Sequence, residues 1–360
     1  MLSKRATGGA NSTVDPRTGL RVFSIYQKNY DQILSVVRNE GCEVVLVDLQ
    51  DCGARFYTYI WSLYDVLVAA AGSKAGGGRK GRRGGVPVKV VVLDRPNPLG
   101  GAVMAGPVLD ANFSSGVGKR PLSMRHGMTM GELATLFNEE YVGLEDFSAG
   151  NKASLQVVTM ENWRRDMVFG DTGLPYVPPS PNLPTTESLD LYMGLGLVEG
   201  VNLSEGRGTA LPFQLIGAPY VSWEYAEAVR QMGMAGVRIR EAYFVPVMSK
   251  HANQTCGGVE VTLAANNWGS EAAAVFRSGS SQVDAISVGI NIIKQAHDMY
   301  VDKGEFAWVK SGSRYWIDLL TGNELVRTGI EQGLQVDQIV AQWQQDLEWF
   351  KILAQKYLCY

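Results

Sequence analysis

Two apolar runs that stop on an acid constrain this chain more than anything else in it. VVLVDLQDCGARFYTY (44–59) climbs through branched residues to Asp48, Gln50 and Asp51, and VKVVVLDRPNP (88–98) climbs likewise to Asp94, Arg95 and Asn97. Short Val-rich runs without polar alternation are the mark of strands in a parallel sheet. Between them Tyr59, Ile60, Leu63, Val66, Leu67 and Ala70 recur near every 3.6 residues, which predicts a crossover helix. Strand, helix, strand implies a parallel sheet, and such sheets bind ligands beyond the carboxyl ends of their strands. The polar groups at the two ends are therefore expected to wall one site.

The rest of the chain builds around that unit. Residues 1–20 read as a loop or arm, 20–26 as a short strand, and 30–38 as a helix stopped by Gly41. Thr129 and Glu132 make a capping box that opens a helix, and SLQVVTM (154–160) is a further strand. YVPPSPNLPTT (176–186) is too rich in proline for helix or sheet and predicts a stiff loop aiming Ser180 and Asn182. A short helix over 187–198 leads to EGVNLSEGRGT (199–209). Beyond residue 210 the pattern turns β-rich (237–247, 257–263), with helices at 222–232, 281–299 and from Val336 to Tyr357. The expected class is α/β: a Rossmann-like parallel-sheet domain over 1–209, then a smaller α+β domain over 210–360, with a ligand cleft between them.

A net charge of −3 demands neither nucleic acid nor an anionic membrane as partner. No apolar stretch approaches the ~20 residues that cross a bilayer, and the start lacks the apolar core of a signal peptide, so the chain is expected to be soluble. Cys42, Cys52, Cys256 and Cys359 form no C-x-x-C pair and read as inert thiols. GSKAGGGRKGRRGG (72–85) carries five positive charges and reads as a surface insertion, with a nucleic-acid or localisation tag as the sharper alternative. His126, His251 and His297 are too scattered for zinc. Asn202 stands where a serine-hydrolase elbow around Ser204 needs glycine, and GLGLVEG (194–200) has the wrong spacing for a dinucleotide fingerprint.

Five carboxylates lie on turns bounded by glycine or proline: Asp48, Asp51, Asp94, Glu199 and Glu205. Glycoside hydrolysis needs two such groups, although each also suits a helix N-terminus. Around them stand Arg55, Arg95, Arg125 and Arg207, the amides Gln50, Asn97, Asn182 and Asn202, and the rings Tyr57, Tyr59 and Trp163. Arginine matches carboxylates in a two-point grip, so the mixture suits a sugar that bears an acid. The same aspartates keep a Mg²⁺-dependent phosphohydrolase open as a rival. His126, on the turn before the capped helix, is either a ligand contact or a residue satisfied by backbone.

Several strings carry a resemblance: VDLQDCGARFYTY, VLDRPNPLGG, GPVLD, RHGMTMGELATLFN, PPSPNLPT, EGVNLSEGRGTALPFQLIGAPY, CGGVEV and FKILAQKYLCY. From about residue 48 to the C-terminus the chain resembles the exo-acting β-N-acetylmuramidase family of NamZ type. The resemblance implies removal of N-acetylmuramic acid from non-reducing ends of peptidoglycan fragments, in a cleft between two domains, without a cofactor. Carried over by position, it points at Asp48, Gln50, Asp51, Arg55, Tyr57 and Tyr59; at Asp94, Arg95 and Asn97; at Arg125 and His126; at Ser180 and Asn182; and at Asn202, Glu205 and Arg207. The lactyl carboxylate of muramic acid supplies a partner for arginine. Glu205 and Asp51 are expected in acid/base and charge-stabilising roles, Asp94 as orienting, and Arg55, Arg95 and Arg207 as holding the ligand's acid.

Members of that family usually open with a further strand, a helix and a Pro-Glu-His-Gly turn whose glutamate is a catalytic candidate. This sequence starts beyond that region, so the expectation is a late start or an inactive chain, with a sheet edge or core face left uncovered. A non-catalytic carbohydrate-binding protein is accordingly the second reading.

Overall fold

The computed structural model describes residues 12–74, 86–264 and 283–360. The basic glycine insertion beyond Lys74, residues 265–282 (which include the unfamiliar stretch GSEAAAVFRSGSSQ, 269–282) and residues 1–11 lie outside the described residues. Residues 72–74, assigned above to the insertion, instead complete a helix.

The first described segment is a small antiparallel hairpin, β1 (Thr13–Val14) with β2 (Arg21–Val22), shorter than the strand expected over 20–26. Helix α1 (Tyr30–Asn39) starts on an Asn29 capping box and ends before Gly41, whose φ of +69° needs glycine's freedom, as does the φ of +73° at Gly19 in the turn of the hairpin. Strand β3 (Val44–Val47), helix α2 (Tyr59–Lys74) and strand β4 (Lys89–Leu93) make the anticipated strand-helix-strand unit. Strands β5 (Ala105–Val108) and β6 (Ser123–Arg125) pair antiparallel beside it. Helix α3 (Met130–Leu136) opens on the Thr129–Glu132 capping box and leads towards β7 (Ser154–Val158).

Strands β3, β4 and β7 form a parallel sheet in that order, with Val45 opposite Val90 and Val92 opposite Val157. Val47, Val90 and Val92 point into a core shared with α2 and α3. On edge strand β3, Val44 and Leu46 are 47% and 64% exposed.

Helix α4 (Thr186–Leu195) leads through a 3-10 turn over Gly196–Gly200 into the second half. There β8 (Leu215–Ala218), α5 (Trp223–Gln231), β9 (Val237–Phe244), β10 (Cys256–Leu263) and α6 (Ala285–Tyr300) follow, and the strands form an antiparallel sheet in the order β8, β10, β9. Helices α4 and α6 cross where Gly194 faces Ala285 and Gly289; a Cβ on either glycine would collide with the opposing backbone. The fold is α/β, a Rossmann-like parallel sheet followed by a smaller α+β part.

Four short helices close the chain: α7 (Trp316–Thr321), α8 (Leu325–Glu331), α9 (Val336–Ala341) and α10 (Gln344–Gln355). The single helix expected from Val336 to Tyr357 therefore breaks at Gln342–Trp343. The reason is packing: Ile339 and Trp343 bury in the core of the second half, whereas Phe350 and Ala354 return to the core of the first. One straight helix cannot present both stripes.

Candidate active site

A cavity of about 970 Å³ opens between the hairpin arm, the α2 entrance, the proline-rich loop and the 199–213 segment. That is the upper end of the size range for small-molecule sites. Tyr57 and Tyr59 line it with ring centroids 4.8 Å apart, and both hydroxyls donate to the Pro179 carbonyl, at 2.8 and 3.3 Å. Those bonds tie the helix entrance to the stiff loop, which places Ser180 and Asn182 on the same wall.

The opposite wall is built by E-G-V-N-L-S-E-G-R-G. Ser204 pairs with Gly217 of β8 through two backbone hydrogen bonds, which registers the segment against the second sheet. Gly206 has φ +76°, and a Cβ there would stand 2.7 Å from the Leu215 carbonyl oxygen, so only glycine allows the turn that presents Arg207. Arg207 donates to Glu199 Oε1 from Nη2 at 2.5 Å and from Nε at 3.2 Å, and its Nε stands 3.3 Å from Glu205 Oε1. Its guanidinium lies over the Phe213 ring, 4.9 Å from the centroid. Phe213 itself is held at φ +62°, a strained conformation for a bulky residue, against Tyr192 at 4.6 Å.

Glu205 is 2% exposed and lies behind Arg207. Lys250 Nζ stands 2.9 Å from its Oε2 as an ion pair, and Ser249 Oγ donates to its Oε1 at 3.2 Å. Burial pulls the Lys250 ammonium's pKa down, against the opposing field of Glu205. Burial is the largest single influence on Arg207 and opposes its charge, but Glu199, Tyr192 and Glu205 together overcome it and the guanidinium's pKa rises.

Of the residues singled out from sequence, Tyr57, Tyr59, Ser180, Asn182 and Arg207 line this cavity, and Glu199 joins them. The others do not line it. Arg55 is fully buried and donates to the carbonyls of Pro107, Leu122 and Leu320, each at 2.8 Å. Asp48 and Arg95 pair with each other at the surface, at 2.5 Å. Asp94 accepts from the Thr129 hydroxyl, the Gly131 amide and the Tyr360 hydroxyl, at 2.7, 2.8 and 2.9 Å. That makes it the anion at the start of α3.

Asp51 is 4% exposed; its Oδ2 accepts from the Gly53 amide at 2.7 Å and meets His126 Nε2 at 3.1 Å. The Met128 amide donates to His126 Nδ1 at 3.2 Å, so the proton sits on Nε2 and points at Asp51. Asn97 and Gln50 hold neighbouring backbone: Asn97 donates to the Met128 carbonyl, and Gln50 to those of Asp51 and Pro96. Asn202 braces the turn from the far side, donating to the Glu305 carbonyl and accepting from Tyr220. Arg125 donates to the Leu99 carbonyl and faces a smaller hollow that Asp190 also lines.

Sequence reasoning gave no role to Tyr192, Phe213, Trp316 or Asp15, which also line the cavity. Phe213 falls inside a string already singled out. Nothing local marks Trp316 or Asp15, which come from the last helices and the hairpin arm. The Thr18 hydroxyl and the Arg17 amide hold the Asp15 carboxyl below its ordinary range. Among the described residues no three His, Cys, Asp or Glu side chains converge as a metal site would require, and no helix is long and apolar enough to cross a membrane.

A sugar-sized hollow with two adjoining, mutually tilted tyrosine rings on one wall and a carboxylate–arginine pair on the other has the make-up of a carbohydrate-active protein. Residues 2–187 match the family described as exo-β-N-acetylmuramidase NamZ, N-terminal, and residues 190–360 its C-terminal counterpart. The chain belongs to the NamZ exo-β-N-acetylmuramidase family. It is 38% identical over 350 residues to the peptidoglycan β-N-acetylmuramidase NamZ of Bacillus subtilis (strain 168), covering 97% of this chain and 74% of that relative. Crystal structures of two DUF1343-family proteins from Bacteroides fragilis superpose with TM-scores of 0.78 and 0.70, at 26% and 30% identity. Each match covers 97% of this chain and 82% of the other.

Proposed function

We propose that this chain is an exo-acting glycosidase that removes β-linked N-acetylmuramic acid from the non-reducing ends of peptidoglycan fragments. The observation that carries the reading is the Glu199–Arg207 pair on the wall of a cavity whose other wall is Tyr57 and Tyr59. Arg207 meets the lactyl carboxylate, which is the group that separates muramic acid from plain N-acetylglucosamine. Glu199 supplies negative charge to the oxocarbenium-like transition state. The tyrosine rings carry the sugar face, and Ser180 and Asn182 supply hydrogen bonds to its polar edge.

Glu205 acts through Arg207, Asp51 fixes the backbone at Gly53 ahead of Tyr57, and Asp94 holds the start of α3. The reaction is assigned to residues 1–209, with 210–360 closing the cavity through Phe213, Trp316 and Leu320.

Turnover of a chromogenic β-N-acetylmuraminide tests the reading. Aglycone release that a chelator leaves unchanged is the expected result. Thermal stabilisation by N-acetylmuramic acid without any release would instead make the chain a binding protein.

A further inference from the structure

The segment joining β9 to β10 stores backbone strain. Ser249, His251 and Asn253 have φ of +70°, +56° and +62°, three non-glycine residues in the left-handed region within five positions. Such clusters persist where surrounding contacts over-determine them, and they gather at functional sites. Here the contacts run to the 198–208 segment. Lys250 Nζ donates to the carbonyls of Val198 and Val201, at 2.8 and 2.7 Å. His251 Nε2 lies 2.6 Å from the Asn202 carbonyl, and the Val247 amide donates to Gly208 at 3.0 Å. With the two contacts to Glu205 already described, this strap grips both ends of the turn that carries Glu199, Glu205 and Arg207.

The charges in this cluster balance. Glu199 and Glu205 are opposed by Arg207 and Lys250, and both members of the Glu205–Lys250 pair are turned inward. Arg207 has a carboxylate on each side, 2.5 Å away at the cavity and 3.3 Å away behind. Its side chain is drawn outwards only while the inner carboxylate has a cation of its own. We propose that Lys250 is a positioning residue: by neutralising Glu205 from behind, it leaves Arg207 paired with Glu199 at the cavity wall. The inference rests on the reading of Glu199 and Arg207 as the pair that faces substrate. Without the ammonium, the buried Glu205 would claim Arg207 and draw it away from the cavity.

The test uses the full chain and a chromogenic β-N-acetylmuraminide, comparing wild type, Lys250→Met and the double variant Lys250→Met/Glu205→Gln. Lys250→Met should lose about 30-fold in kcat/KM, mostly as a raised KM, since a displaced Arg207 costs ground-state and transition-state binding alike. The double variant has no uncompensated inner charge and should recover at least about tenfold of that loss. A merely structural staple to Val198 and Val201 predicts no recovery, because both variants lack the ammonium.

A Lys250→Met enzyme within about threefold of wild type overturns the proposal, as does a double variant no better than the single one. If Lys250→Met does not fold, the double variant decides: it must fold and keep about a tenth of wild-type kcat/KM, and a folded but inactive protein overturns the proposal. Wild type that neither turns over the muraminide nor binds N-acetylmuramic acid overturns the functional reading, and this inference with it. Active wild type with an indifferent Lys250 overturns this inference alone.

Discussion

Arg55 Nη2 donates to the carbonyl of Leu320 at 2.8 Å, joining residues 265 positions apart in the chain. Its Nη1 holds Pro107 and Leu122, so one buried cation ties the β5 and β6 strands to α7. Burial pushes the guanidinium's pKa down to about 9, which still leaves it charged at neutrality. Truncating Arg55 leaves the buried carbonyls of Pro107, Leu122 and Leu320 without this donor, and each buried polar group left unsatisfied costs ~1–3 kcal/mol. Arg55→Met should therefore lower the unfolding free energy by about 3 kcal/mol, read from the denaturant midpoint. A variant of normal stability that has lost only activity would place Arg55 at the substrate instead.

Asp94 offers the matching contrast at a strand end. Its carboxylate holds Thr129, Gly131 and Tyr360, which is the work of a helix-starting anion. Asp94→Asn should cost about 1–2 kcal/mol of stability, the range for a lost cap. Measured well below its melting temperature, its kcat/KM should stay within about threefold of wild type. A kinetic loss of ~100-fold in a stable Asp94→Asn protein would restore the orienting role in the active site expected from sequence.

Glu199 should behave in the opposite way. Glu199→Gln keeps the shape of the cavity wall and removes the negative charge that faces it. The expected result is a fall in kcat of about 100-fold or more, in the range of lost electrostatic or acid–base assistance. Its pair with Arg207 is partly solvated, so the melting temperature should move little. Steady-state kinetics and thermal unfolding on one preparation check both halves.

Asp190 sets a pH dependence of stability. Burial pushes its carboxyl up to about 7 from 3.8, against the pull of Arg125. A carboxyl whose pKa is raised by folding binds more protons in the native state than in the unfolded one between those two values. It therefore subtracts from stability progressively as pH rises from about 4 to about 7, and in full above that. Asp190→Asn removes the subtraction, so the variant's melting temperature should match wild type near pH 4 and exceed it near pH 8. Thermal unfolding at both pH values decides it; a difference that does not change with pH would refute the assignment.

The amino-acid sequence by itself determined the elements and their kind. Val-rich runs ending at Asp48 and Asp94 became β3 and β4, Thr129 and Glu132 capped α3, and proline density kept 176–185 out of helix and sheet. Those properties are local, set by side-chain shape, spacing and the few backbone angles each residue tolerates. Which polar groups meet was decided only by tertiary structure. Asp48, Asp94, Glu199 and Glu205 look alike as acids on short turns, yet one pairs at the surface, one caps a helix, one faces the cavity and one lies buried behind an arginine. Charge acts through space, so a carboxylate's role depends on cations, amides and solvent brought near it by distant segments, as Lys250 is to Glu205 and Leu320 is to Arg55.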